Sequence, residues 1–146
     1  MDALLQRVSI FTGLDDAALE MLSTRLDKSD VGQGAIILRE GEAGNRLFLI
    51  GAGKVRVCKN LGRPDEVELA ILESGSFFGE MCILETLPRT ASVQAVSDAT
   101  LFALSAVSLY HLYELMPKQY GLLVLNIARD LSRRLRQLDE AFAARH

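Results

Sequence analysis

The chain has 146 residues, of which 49% are hydrophobic and 24% charged, and its formal net charge is −3. These values are ordinary for one globular domain with a sizeable core, and the charge does not indicate a nucleic-acid-binding surface spread over the whole domain. A signal-peptide pattern is absent from the N-terminus, and no apolar run reaches the roughly 18 residues of a membrane span. We expect Cys58 and Cys82 to be reduced thiols in a cytoplasmic protein.

The first 26 residues have a helical pattern. Apolar residues recur at helical spacing from Leu14 to Leu26, and Thr12 or Asp15 is a candidate N-cap. We therefore predict a helical lead-in over residues 1–26.

From about residue 28 to residue 105 the pattern changes to short strands separated by glycine-containing turns. The runs that qualify as strands are 35–38, 47–50, 54–58, 67–72, 91–96 and 100–104. The segment 60–66 contains Gly62 and Pro64 and is the expected loop tip. Many short strands at regular spacing predict an antiparallel sandwich or barrel.

The pattern becomes helical again after residue 105. A short helix over 106–116 is expected to stop at Pro117, and a long helix over 118–144 follows. The long helix carries an apolar seam with the alternating spacing of a coiled coil, formed by Val124, Ala128, Leu131, Leu135, Leu138 and Phe142. This seam either joins two copies in a homodimer or packs back on the strand region.

One stretch, residues 77–93, combines residues that suit a phosphorylated sugar. A glycine at 79 lets backbone N–H groups approach an anion, as at a helix N-terminus. Arg89 adds a planar, permanently charged fork, and Thr90 adds a hydroxyl. Glu80 would repel a phosphate, but its carboxylate can accept a hydrogen bond from a sugar hydroxyl. The stretch predicts a nucleotide-sized anionic ligand, and the alternative is a salt bridge between Glu80 and Arg89 without a ligand.

This stretch resembles the phosphate-binding cassette of the cyclic nucleotide-binding domain family. That family includes the catabolite activator protein, regulatory subunits of cAMP-dependent kinase and cyclic-nucleotide-gated channels. The residues that match its pattern are Phe78, Gly79, Glu80, Cys82, Arg89, Thr90 and Ala91. The helical start, the glycine spacing and the two closing helices extend the resemblance over roughly residues 5–140.

The resemblance implies one α+β domain over residues 1–146. Its centre would be an antiparallel β-roll, a jelly-roll-like double-stranded β-helix, over 28–105 with the cassette at 77–91. The lead-in 1–26 and two C-terminal helices over 106–144 would flank this roll.

The resemblance also implies roles for particular residues. Glu80 should bind the ribose 2′-hydroxyl and Arg89 the cyclic phosphate. Backbone N–H groups should complete the phosphate site, from Gly79, Glu80, Met81, Cys82, Thr90 and Ala91. Laying Pro117 on the corresponding helix-start proline of the catabolite activator protein puts Arg134 and Leu135 near the positions that cover the base. The alternative for Arg134 is a solvated face shared with Arg133 and Arg136.

The implied function is a regulatory sensor that binds cAMP or cGMP and repositions its C-terminal helices about a hinge near residues 116–117. Family precedent favours cAMP, although the Thr90 hydroxyl is also suited to the amino group of a syn guanine. The alternative is an interaction module of the same fold that binds no nucleotide. We expect no catalysis, metal or cofactor, since only His111 and His146 could supply imidazole. The chain ends at His146, so we expect no DNA-binding module within it, and the downstream effector is left open.

Overall fold

The computed structural model describes residues 2–80 and 88–145. The strands in this part of the chain are β1 Asp27–Val31, β2 Ile36–Leu38, β3 Arg46–Ala52, β4 Lys54–Lys59, β5 Val67–Glu73, β6 Phe77–Phe78, β7 Ser92–Ala95 and β8 Ala99–Ser105. They form two antiparallel four-stranded sheets with the orders β1-β8-β3-β6 and β2-β7-β4-β5. Except at the β4–β5 pair, successive strands lie in different sheets, and this alternation makes the β-roll. The predicted fold class, a β-roll flanked by helices, is confirmed.

Within the described residues, the helices lie towards the two ends of the chain. They are α1 Asp2–Arg7, a 3₁₀ turn Ser9–Phe11, α2 Asp16–Ser23, α3 Ala106–Leu115 and α4 Pro117–Arg145. Asp15, one of the two candidate caps, accepts a hydrogen bond from the Ala18 N–H at 2.9 Å and so begins α2. Pro117 begins α4 directly after the non-helical Met116, because proline is tolerated in the first helical position.

Side-chain alternation along β3 separates two apolar cores. Leu47 and Leu49 face the helices, and Phe48 and Ile50 face the space between the sheets. The same alternation in β6 puts Phe77 beneath the helices and Phe78 inside the roll. The strand just before Gly79 is thus held in both cores.

Two strands were absent from the sequence prediction. Strand β1 consists mostly of exposed polar residues, and its pairing with β8 joins backbones rather than apolar side chains. Strand β6 has only two residues, which pair with Phe48 and Leu49. The sequence also predicts a short apolar helix-like run that begins at Gly79 and Glu80, and most of this run falls on residues 81–87, outside the described part of the chain.

Helix α4 is anchored to the body through its N-terminal half. Leu123 and Ile127 are buried, and the Asn126 side-chain amide donates to the carbonyls of Ile10 and Thr12 at 2.9 and 2.8 Å. From residue 135 to residue 145 every residue is exposed. The C-terminal half of the apolar seam is therefore exposed, whereas Leu131 packs against the core. Within the described residues, no helix has the length and apolar character needed to span a membrane.

Candidate functional site

A cavity of about 100 Å³ lies between the roll, the end of β6 and helix α4. Its apolar wall includes Leu38, Val57, Leu72, Phe78 and Val93. Among the described residues, the rest of the lining consists of predicted site residues, namely Gly79, Glu80, Arg89, Thr90, Ala91 and Arg134. The fold thus brings together positions that are far apart in sequence. Met81 and Cys82 lie outside the described residues.

Arg89 is the central charged group of this cavity, and only 8% of it is exposed. Its backbone is held by Gly41 and Glu42 through two hydrogen bonds of 2.8 Å. Its guanidinium donates from Nη1 to the Gly79 carbonyl at 2.9 Å and from Nη2 to the Arg46 carbonyl at 3.1 Å. The buried Nε has no hydrogen-bond partner among residues 2–80 and 88–145. Buried donors are normally paired, so this one marks a place suited to an anion.

Gly79 and Glu80 form the edge of the same cavity. The backbone of Gly79 has φ +82°, and a Cβ there would come within 2.9 Å of both the Arg46 carbonyl oxygen and Arg89 Nη1. Only glycine adopts this positive φ readily and also leaves space for both atoms, because it has no Cβ. Glu80 follows and is half-buried. In the described part of the chain no ion pair joins Glu80 to Arg89, so the alternative of a mutual salt bridge is wrong.

Gly44 is a site residue that the sequence did not reveal. A Cβ added at Gly44 would overlap the Arg89 guanidinium, so the backbone of this loop forms the surface on which that group lies. From sequence, a glycine between two predicted strands indicates a turn. It carries no signal for a contact with a distant arginine.

Arg134 lies at the cavity edge and is held on several sides. Its Nε forms a 2.8 Å ion pair with Asp130, and its Nη2 donates to Ser76 Oγ at 3.0 Å and to the Phe77 carbonyl at 2.9 Å. Its Cζ lies 4.3 Å from the centroid of the Phe77 ring, in cation–π range. The solvated-face alternative is therefore wrong for Arg134, although Arg133 is mostly exposed.

A larger groove of about 730 Å³ lies on the outer face of the second sheet, beside the 60–66 loop. Its carboxylates brace that loop. A hydrogen bond from the Asn60 backbone lowers the pKa of Glu40, and one from the Gly62 backbone lowers the pKa of Glu66. Glu66 also pairs with Arg56 at 3.2 Å. This groove contains none of the predicted site residues, so we assign the candidate site to the smaller cavity.

Other candidate chemistry is limited. Cys58 is a buried free thiol, and burial raises its pKa, which fits a packed rather than a reactive cysteine. In the described residues no group of three or more histidine, cysteine or acidic side chains could hold a metal ion. Thr90 is exposed at the cavity mouth, and Ala91 beside it is half-buried.

The structure thus has a β-roll with a cavity lined in part by arginine beneath a C-terminal helix, a geometry suited to a small anionic molecule. The family model described as a cyclic nucleotide-binding domain matches residues 29–115. The chain therefore belongs to the cyclic nucleotide-binding domain family.

Individual relatives agree with this membership. The CRP-like cAMP-activated global transcriptional regulator of Mycobacterium tuberculosis is 29% identical over 143 residues, which cover 98% of this chain and 62% of the regulator. A cGMP-dependent protein kinase of Caenorhabditis briggsae is 34% identical over 122 residues, covering 80% of this chain and 16% of the kinase. The chain thus spans less than two thirds of either relative.

A solved structure supports the same architecture. The crystal structure of a cyclic nucleotide-binding domain from Methylobacillus flagellatus superposes with a TM-score of 0.87, covering 99% of this chain and 85% of that one. The identity is 23%, so this likeness concerns the fold.

Proposed function

We propose that the chain is a regulatory sensor that binds a cyclic mononucleotide, with cAMP favoured over cGMP, and that binding repositions its C-terminal helices. The observation that carries this proposal is the state of Arg89. Its guanidinium is buried, donates to two backbone carbonyls and keeps an unpaired Nε among the described residues. A buried charge without a counterion is costly, and a phosphodiester at the cavity would supply that counterion.

The remaining cavity residues support a ribose and a base beside the phosphate. Glu80 is an acceptor at neutral pH and suits the ribose 2′-hydroxyl. Backbone N–H groups of the cassette would bind phosphate oxygens, including those of Met81, Cys82, Thr90 and Ala91. The apolar wall would cover the flat base, as is common in small-molecule sites.

The preference for cAMP rests on the bacterial relative, which is named for cAMP and spans nearly the whole chain. The kinase relative is named for cGMP, and the exposed Thr90 hydroxyl suits a guanine amino group. Calorimetric titration of both nucleotides into the parent chain and Thr90→Ala separates these cases. We expect tighter binding of cAMP in the parent, and a loss confined to cGMP in the variant.

Thermal unfolding with cAMP or cGMP tests nucleotide binding itself. A ligand at 100 times its Kd should stabilise the fold by about 2.7 kcal/mol. Arg89→Lys keeps the charge but loses the planar fork, so we expect most of this stabilisation to disappear. Arg63→Ala, which removes an arginine of the outer groove, is the matched control. A folded parent chain that neither millimolar nucleotide stabilises would instead be an interaction module without a nucleotide.

The proposed output is a shift between two positions of α4. A ligand moves such an equilibrium only through different affinities for the two states. The break in helical backbone at Met116, where φ is −140° and ψ is 69°, is the proposed hinge between α3 and α4. We propose a regulatory rather than catalytic role, in the cytoplasm, with the downstream effector open.

We also propose that α4 mediates a homodimer. Leu135, Leu138 and Phe142 are 59%, 46% and 67% exposed and follow the coiled-coil spacing. Sedimentation should detect a dimer that Leu138→Glu converts to monomer, with Arg136→Glu as the surface control. A parent chain that is monomeric at high concentration would contradict this assembly.

A further inference from the structure

Arg134 is the last half-buried residue of α4, because all residues from 135 to 145 are exposed. Its bonds to Ser76 and Phe77 span 58 and 57 residues of sequence. The ion pair with Asp130, one turn earlier, fixes the direction of the guanidinium. Arg134 therefore fastens the end of the packed part of α4 to the strand that leads into Gly79.

The same residue lines the candidate cavity, whose volume is about 100 Å³. Sites for small organic ligands usually have about 300–1,000 Å³. A nucleotide therefore fits only if part of the cavity wall moves outward. Of the described elements that form the wall, the sheets are held by strand pairing, whereas α4 is held at this point through one side chain.

We propose that Arg134 is a latch that keeps the cavity too small for a cyclic nucleotide, and that the nucleotide seats only after the bonds from Arg134 to Ser76 and Phe77 break. This inference rests on the proposed function. Opening exchanges a contact within the protein for one with the ligand, because Arg134 lines the cavity and its freed guanidinium can stack on a purine. The latch thus makes the rate of nucleotide entry depend on the position of α4, the element proposed to carry the output.

Stopped-flow mixing with a fluorescent cyclic nucleotide tests the latch in the full chain. If opening precedes binding, the observed rate levels off at high nucleotide concentration. Ser76→Ala removes one latch bond and leaves Arg134 able to meet the base, so we expect the limiting rate to rise several-fold. Arg134→Ala removes the whole latch, and we expect a rise of about tenfold or more, as for the loss of a charge-assisted hydrogen bond. Arg136→Ala, an exposed arginine on the same helix, should match the parent.

Hydrogen exchange without nucleotide separates this inference from the proposed function. We expect α4 amides around residues 130–138 to exchange faster in Ser76→Ala and Arg134→Ala than in Arg136→Ala. Unchanged exchange and an unchanged limiting rate in both latch variants would overturn the proposal, as would a parent rate that never levels off. If exchange responds but neither nucleotide binds the parent chain, the latch contact stands and the proposed function fails.

Discussion

Replacing Gly44 by alanine should weaken nucleotide binding although Gly44 presents no side chain to the ligand. The added Cβ would occupy the position of the Arg89 guanidinium, so that group must move. Its hydrogen bonds to Gly79 and Arg46 measure 2.9 and 3.1 Å. Because a contact near 3.6 Å is no longer a hydrogen bond, shifts of about 0.7 and 0.5 Å are enough to break them.

The size of the effect follows from what Arg89 would contribute to binding. A charge-assisted hydrogen bond to phosphate is worth roughly 1.5–3 kcal/mol, and each 1.4 kcal/mol is about tenfold in Kd. We therefore expect Gly44→Ala to raise the Kd by about ten- to a hundredfold. The free energy of unfolding should fall by about 1–3 kcal/mol, since two partly buried hydrogen bonds to carbonyls are lost.

Calorimetry on a double-mutant cycle checks this reasoning. Arg89→Ala alone should weaken binding, and adding Gly44→Ala to it should change the Kd little, because the displaced group is already gone. Gly121→Ala, which introduces a methyl group into open space, is the control for a glycine substitution. Parent-like affinity in Gly44→Ala, or full additivity in the cycle, would refute the proposed role of this contact.

Three further predictions follow from the described geometry. Gly121→Ala should stabilise the chain by about 0.5–1 kcal/mol, because alanine is the better residue in an exposed helix, and a higher Tm would show this. Loop hydrogen bonds lower the pKa values of Glu40 and Glu66 from 4.5, so their stabilisation is present above the unfolded pKa and is lost as pH falls through the lower folded values. The pair Glu40→Gln and Glu66→Gln should therefore lower the Tm at neutral pH and flatten its acid dependence, and an unchanged pH profile would contradict this. Burial raises the pKa of Cys58, so in a Cys82→Ser background a thiol reagent at pH 7.5 should label the folded chain far more slowly than the denatured chain, as followed by absorbance.

Much of the cassette and of the β-roll could be predicted from the sequence because their sequence signals are local. Gly79 must adopt a positive φ, and Arg89 carries its charge in any context, so both are recognisable from residue type and spacing. Apolar runs bounded by turns identified six strands for the same reason. Strand β1 was not predicted, because it is an edge strand of polar residues that forms by backbone pairing with β8. Amino-acid composition does not encode such a pairing.

By itself, the sequence determined the fold class and a glycine, an acid and an arginine suited to one small ligand. Tertiary structure alone decided what those groups touch. The backbone of Gly44 lies against Arg89, and Arg134 bonds to a strand 57 residues away. Such contacts depend on how sheets and helices pack, since hydrogen bonds and steric fit act over a few ångströms between residues that no local pattern connects.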